Sequence, residues 1–406
     1  MLRRQLPVYS PVDASAIARG LLAACAPRSG EALSARLSEA LKTRYHARAV
    51  LLTDSGTSAL RLAIAGATEE GDRSVALPGY GCYDLSTAAE GAGAQVVLYD
   101  LSPRDLGPDP ASLERLRRIG PTAVVVAHLF GYPVDVQSVR DALPGAILIE
   151  DAAQGAGGRL GGRPLGSLGS VSVLSFGRGK GMTGGGGGAL LGLDDVGVRI
   201  VERAREAIGG TVSGRGFRQL LQTAAQLVFG RPELYGIPSR LPFLHLGETV
   251  YHPPWPPRGP TIASLAVLEH MMPESDREVE VRRGHAARLE RSVAESRHVR
   301  AVEPLREGRP GYLRLPVLLR DGTTTGGALR GVAGLGVTGM YPSTLAALPS
   351  LAPFRIGAEV PIPNAEALTR ALTVLPTHRL LASSDFDALE AWLTSGGPDN
   401  KGVVSG

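Results

Sequence analysis

The sequence predicts an α/β protein, with a large domain on a mostly parallel sheet followed by a smaller C-terminal α+β domain. Three observations predict it. Between about residues 47 and 192, short apolar runs alternate with amphipathic or glycine-rich segments, as strand–helix repetition requires. Several of these runs are apolar throughout, as in strands covered on both faces. The 406 residues exceed one compact core, implying about two or three domains. The stretch Pro253-Pro254-Trp255-Pro256-Pro257 reads as the linker between residues 1–255 and 256–406.

The elements follow in order. Gly30–Lys42 reads as a helix, with Leu33, Leu37 and Leu41 at spacing four. The strand runs are Ala49–Thr53, Ser74–Leu77, Gln95–Tyr99, Ala123–Ala127, Ala146–Glu150, Val171–Phe176 and Ala189–Leu193. Helices are expected between them at Ser58–Ala65, Ala111–Ile119 and Val136–Leu143. Residues 210–260 change character and hold one apolar helical piece around Leu220, Leu221, Ala224, Leu227 and Val228. Helices at Ile262–Met272 and Glu274–Ser292 are separated by Pro273, which should break or kink the path. A strand at Gly311–Leu319 and a helix near Asp385–Leu393 complete the pattern.

Composition excludes several classes. Hydrophobic residues at 43% and charged residues at 20% suit an ordinary globular chain rather than a disordered one. The net charge of +4 comes with no Lys/Arg block interleaved with aromatics, so nucleic acid is not an expected partner. Cys25 and Cys82 cannot build a disulfide framework, and no Cys/His cluster has zinc spacing; no metal is expected. The first residues carry positive charge without a following apolar region, unlike a secretory signal. No run approaches the roughly 18 apolar residues of a spanning helix. The expectation is a soluble cytoplasmic protein.

Ligands of open parallel sheets bind beyond the carboxyl ends of the strands, and three segments fall there. Asp54-Ser55-Gly56-Thr57-Ser58-Ala59 sits between a strand and a helix, where free N–H groups and small hydroxyls make an anion site or simply cap the helix. Ile149-Glu150-Asp151-Ala152-Ala153-Gln154 ends a strand in carboxylates. Such a group can hold a proton on a heteroaromatic nitrogen, although Asp is also a favoured helix cap. Lys180 lies among glycines, followed by Gly184–Gly188. Withdrawn from water, a lysine becomes a nucleophilic amine able to form a Schiff base; in a flexible loop it is merely solvated. Nucleotide motifs fit poorly. A P-loop would need glycine where Leu174 stands, and Gly179-x-Gly181-x-x-Gly184 leads into a β-type run rather than a helix. A phosphate site, an acid and an amine together ask for pyridoxal 5'-phosphate (PLP).

The chain resembles the DegT/StrS family of PLP-dependent sugar aminotransferases. The resemblance rests on Ser55-Gly56-Thr57-Ser58-Ala59-Leu60, Leu77-Pro78, Gly91-Ala92-Gly93-Ala94, Ala127-His128-Leu129-Phe130-Gly131, Glu150-Asp151-Ala152-Ala153-Gln154, Ser175-Phe176, Lys180 and Leu375-Pro376-Thr377-His378. It implies PLP-dependent transferase fold type I and a homodimer that aminates a keto sugar, free or nucleotide-linked, with glutamate as donor. By position, Lys180 is similar to the Schiff-base lysine and Asp151 to the partner of the pyridinium nitrogen. Gln154 resembles a group near the ring, and Thr57, Ser58 and Ser175 resemble phosphate ligands. His128 could touch substrate or be a satisfied structural histidine. Family members that dehydrate sugars carry histidine in place of the lysine, so Lys180 favours transamination.

Three departures from the family pattern stand out. Cys82 occupies the place of the aromatic that stacks on the cofactor, with Tyr80 and Tyr83 nearby. Pro256-Pro257-Arg258 replaces an Asn-Tyr-Arg stretch whose Asn reaches the neighbouring subunit's phosphate. An acidic residue is missing from the glycine stretch. Two alternatives remain open, a non-catalytic regulatory or scaffold homologue and a PLP enzyme acting on a carbocyclic ketone. Gly216–Gly230, apolar with Arg215, Arg218 and Arg231 near its ends, is expected to pack within the dimer rather than on a membrane.

Overall fold

The wholly apolar runs become the central strands of a seven-stranded sheet in a computed structural model. It describes residues 3–7, 9–26, 30–69, 72–208, 212–240, 249–320, 329, 331–357 and 360–395, so parts of the expected 210–260 stretch lie outside the described residues. The first half contains α1 (Ala14–Cys25), α2 (Gly30–Tyr45), β1 (Ala49–Thr53), α3 (Gly56–Ala67), β2 (Ser74–Pro78) and α4 (Asp84–Ala92). It continues with β3 (Gln95–Tyr99), α5 (Pro110–Ile119), β4 (Ala123–Ala127), α6 (Val136–Ala142) and β5 (Ile147–Asp151). Then come β6 (Arg159–Leu160), β7 (Arg163–Pro164), β8 (Val171–Ser175), β9 (Gly188–Gly192) and α7 (Asp195–Ile208).

The sheet order is β1-β9-β8-β5-β4-β2-β3. Strands β2, β3, β4, β5 and β8 are parallel, while β9 turns back antiparallel between β8 and β1. The hairpin joining β8 to β9 carries the glycine-rich lysine loop. Helix ends follow local chemistry. Asp109 accepts from Ser112 N–H to cap α5 at its start, and left-handed Gly120 closes it.

The second half begins with α8 (Phe217–Phe229), α9 (Pro232–Tyr235) and α10 (Ile262–Glu295). A four-stranded antiparallel sheet follows, ordered β10 (Val299–Ala301), β12 (Leu315–Leu319), β14 (Leu372–Leu375) and β13 (Thr338–Gly339). β11 (Gly308–Arg309) instead joins β6 and β7 in a small third sheet. The four-stranded sheet packs with Leu289 and Val293 of α10 and with Phe386, Leu389, Trp392 and Leu393 of the helix Ser383–Ser395.

Three expectations need correction. Pro273 does not interrupt the helix, and α10 runs continuously through it. Pro273 is exposed, so the carbonyl it leaves without a donor can take water, while buried Leu268, Met271, Ser275 and Val279 hold both flanks in register. The proline-rich stretch is not a loose linker. It is strapped across α3 and α4, with Arg61 donating to Trp255 O at 2.6 Å and Thr87 to His252 O at 2.7 Å. Finally, β12 starts at Leu315 rather than Gly311, because Tyr312 has φ +44° and breaks the extended path. The Tyr312 hydroxyl donates to Glu290 and its carbonyl accepts from Thr377, which hold that conformation.

Candidate active site

The carboxyl ends of β4, β5 and β8 and the amino ends of α3 and α4 surround one cavity. Strand alternation decides which acid of the Glu150-Asp151 pair enters it. Glu150 points the other way and is fully buried. Its carboxylate accepts from His128 Nε2 (2.9 Å), from the N–H groups of Gly166, Leu168 (2.7 Å) and Gly169 (3.0 Å), and from Ser172 Oγ (2.7 Å). Burial alone would push this carboxyl up, but the donors outweigh it and hold it below the usual range.

Asp151 lines the cavity with Lys180. No helix begins after Asp151, so the capping reading is set aside; one carboxylate oxygen accepts from Ala153 N–H at 3.0 Å in a tight turn. Its other oxygen has no protein donor among the described residues. Burial raises the Asp151 carboxyl, opposed by that bond and by the charge of Lys180. A buried carboxylate facing a cavity, with few donors of its own, fits a cationic ring N–H.

His128 also lines the cavity. Its Nδ1 accepts from Val134 N–H at 3.1 Å, so Nε2 carries the hydrogen given to Glu150. Both ring nitrogens are thus engaged, and the structural reading of His128 holds. Gln154 accepts from Phe130 N–H and donates to the Tyr341 hydroxyl, each at 2.9 Å. Phe130 stands at φ +59°, a strained backbone beside the site.

At the opposite end, Ser55 caps α3 by accepting from Ser58 N–H at 3.1 Å. The first turn, Gly56 and Thr57, faces the cavity beside Ser175. A Cβ on Gly56 would come 2.6 Å from Ser175 Cβ, so only glycine allows this approach. Free N–H groups and two hydroxyls at a helix start suit a phosphate. The Lys180 loop is pinned in turn, with Gly179 N–H donating to Ser10 Oγ at 2.8 Å. A Cβ on Gly181 would meet Ala156 Cβ at 2.8 Å.

Six of the seven residues singled out from sequence, Thr57, Cys82, Asp151, Gln154, Ser175 and Lys180, line this cavity. Ser58 does not; it is buried in the cap and borders a separate small cavity with Arg61 and Trp255. Neither neighbouring tyrosine takes the place of Cys82. Tyr80 packs edge-on against Tyr341, and the Tyr83 hydroxyl bonds Ser343 at 2.7 Å. Burial pushes the Cys82 thiol up, so it is a neutral contact surface. Asp84, at the start of α4, joins the lining without having been singled out. Among the described residues no group of three His, Cys, Asp or Glu could hold a metal ion.

The architecture is that of PLP-dependent transferases of fold type I. The structure of AtS13 from Actinomadura melliaura superposes with TM-score 0.74 at 22% identity, covering 97% of this chain and 99% of that one. The E. coli GDP-4-keto-6-deoxy-D-mannose-3-dehydratase with bound hydrated PLP gives TM-score 0.73 at 15% identity over 97% and 100%. Residues 26–220 match the model of the DegT/DnrJ/EryC1/StrS aminotransferase family. The L-glutamine:2-deoxy-scyllo-inosose aminotransferase of Streptoalloteichus tenebrarius is 36% identical over 139 residues, 34% of this chain and 33% of that protein. GDP-perosamine synthase of Caulobacter vibrioides is 33% identical over 145 residues, 35% of this chain and 39% of that protein. The matched segments thus span well under half of these relatives.

Glu150 gives a test of the scaffold. A lowered carboxyl pKa means its stabilisation is present above the unfolded value and lost as pH falls through the folded one. Glu150→Gln should lower stability by about 3 kcal/mol near neutral pH, since an amide opposes donors with more donors. The acid limb of its stability profile should also be flatter than wild type; parallel profiles in denaturant titrations at several pH values would contradict this account.

Proposed function

We propose that the chain is a PLP-dependent aminotransferase. It would pass the amino group of an α-amino acid to a keto sugar or a carbocyclic polyol ketone. The observation that carries this is the placement of Lys180 and Asp151 on one cavity at the sheet's carboxyl edge. The family resemblance implied glutamate as donor, while the inosose-acting relative is named for L-glutamine; both are α-amino acids with the same reacting end. The fold by itself is shared with a dehydratase, so the lysine argues for amino transfer. A non-catalytic homologue would need neither Lys180 nor Asp151 on that cavity.

In this reading PLP, bound in the cavity, supplies an electron sink for negative charge at the donor's α-carbon. Gly56, Thr57 and Ser175 would hold its phosphate. Asp151 keeps a proton on its ring nitrogen, and Gln154 and Cys82 border the ring. Lys180 would hold the cofactor covalently through its amine and, with that amine free, would serve as the base that takes the proton from the donor's α-carbon, a role worth roughly 10²–10⁴-fold.

Borohydride treatment of the loaded protein should fix pyridoxal on Lys180, and peptide mapping that finds it on another lysine would sink the assignment. Asp151→Asn should keep most cofactor binding while turnover falls roughly 10²-fold or more. Wild-type turnover in that variant would leave Asp151 a turn-former only.

We further read the protein as a cytoplasmic homodimer with residues 1–255 and 256–406 as its domains. No described helix is long and apolar enough to cross a membrane. On α8, Leu220 packs inward beside Gly20 and Val267, whereas Phe217, Leu221 and Val228 form an exposed stripe. Leu22 on neighbouring α1 is exposed too. A second copy covering this stripe fits its apolar character. Leu221→Glu should shift sedimentation from dimer toward monomer. Strong binding to anionic vesicles, lost in Leu221→Glu while the dimer persists, would favour a membrane instead.

A further inference from the structure

Sharing no lining residue with the main cavity, a further cavity of about 420 Å³ lies between α2, α10, the β6–β7 hairpin and β11. Four guanidiniums line it, those of Arg44, Arg159, Arg283 and Arg309, against two carboxylates, Asp276 and Glu280. Arg44 is satisfied by Asp276, with contacts of 3.0 and 2.5 Å. Arg283 uses all three of its nitrogens, on Glu280 at 2.5 Å, Gly157 O at 2.7 Å and Pro310 O at 3.3 Å. That leaves Arg159 and Arg309 short. Among the described residues Arg159 forms no ion pair, and its guanidinium donates only to Gly162 O, at 2.8 Å. Among the same residues Arg309 has only a 3.6 Å contact with Glu280, which Arg283 already occupies. The next acid, Glu307, sits over Gly161 at the hairpin's tip and does not line the cavity.

Backbone pairing forces the two surplus charges together. Arg309 and Arg159 are directly opposed in the antiparallel pair of β11 with β6. Their side chains therefore leave the same face, a relation in which like charges destabilise a sheet. Burial, and then the charges of Arg309 and Arg159, hold the Arg283 guanidinium below its usual range. The chain entering β6 is pressed against α10. Gly157 stands at φ +83°, and a Cβ there would come 2.2 Å from Val279 Cγ2. Two positive charges without counter-charge on one cavity suit a dianion. A phosphate monoester carries about −1.5 to −2 charge near neutral pH and offers several acceptor oxygens to guanidinium forks. A carboxylate carries a single charge. The cavity has the volume of a small-molecule site, and Pro164, Leu165 and Val279 give it an apolar wall for an organic body.

We propose that this cavity binds an organic phosphate, held by Arg159 and Arg309 across the β6–β11 pair. The proposal does not depend on the aminotransferase reading. The test uses protein loaded with PLP, reduced with borohydride and dialysed, which fills the main cavity and leaves no free PLP. Calorimetry at mildly alkaline pH compares phenyl phosphate, a dianion, with benzenesulfonate, a monoanion of similar shape. Wild type should bind phenyl phosphate more tightly, on the order of tenfold. Arg159→Gln and Arg309→Gln should each weaken phenyl phosphate by roughly the same factor. Arg118→Gln, which alters an exposed arginine outside the lining, should change nothing.

Equal wild-type affinity for the two probes would overturn the proposal, whether or not the variants fold. Phenyl phosphate binding unchanged in both variants would overturn it as well. Inorganic phosphate binding as tightly as phenyl phosphate would remove the organic ligand and with it the assignment. An oligonucleotide bound more tightly than phenyl phosphate, and weakened by both variants, would make this a polyanion surface and also sink the proposal.

Discussion

The buried Glu150 carboxylate is the interaction on which the site's geometry depends. An ionised group at the end of a central strand is tolerated only if enough donors replace water. Here those donors come from β4's exit at His128, from the 166–169 turn, and from Ser172 on β8. The carboxyl ends of β4 and β5 and the amino-terminal part of β8 are thereby tied together. Because strand side chains alternate, fixing Glu150 on the inner side delivers Asp151 to the cavity. The histidine beside it is fixed by the same bond, its hydrogen committed to Glu150 and its other nitrogen to Val134.

Much of this was legible in the sequence. Central strands buried on both faces must be apolar throughout, so their positions could be read to within a residue or so. The lysine was exposed as a candidate by the glycines around it, and those glycines are required by close approaches such as Gly181 against Ala156. Asp151 could not be separated from a helix cap in sequence, because both uses place an acid just after a strand. Only the absence of a following helix distinguishes them.

The misread features share a cause: local rules were overridden by long-range contacts. Pro273 is a helix breaker by propensity, yet buried residues on both sides keep α10 whole. The 253–257 stretch looks like a linker, but Trp255 O within it and His252 O just before it accept from Arg61 and Thr87, some 165 to 194 residues distant in the chain. Ser58 is the local exception: it sits in a motif that reads as phosphate-binding, but the Ser55 cap in its own first turn holds it outside the cavity lining. Arg314 was passed over although it is a lone charge in the apolar run Gly311–Leu319, the kind of anomaly that a buried strand does not carry without a partner.

The N-terminal segment ties these parts together. Pro7 O accepts from Arg314, Leu6 O from His378, and Ser10 Oγ from Gly179 N–H beside Lys180. Gln5 adds bonds to Leu380 O and to Asp385, which also pairs with Arg3. Side chains around the four-stranded sheet and the backbone of the reactive loop thus bond to the same N-terminal segment. Backbone outside helix and sheet leaves its carbonyls without ladder partners, and here the buried Arg314 and His378 supply the donors. Movement of that sheet relative to the larger one would be felt first at Ser10 and Gly179, because no other described hydrogen bond reaches the backbone of residues 178–180 from a distant part of the chain. The lysine loop therefore takes its position from both halves of the molecule.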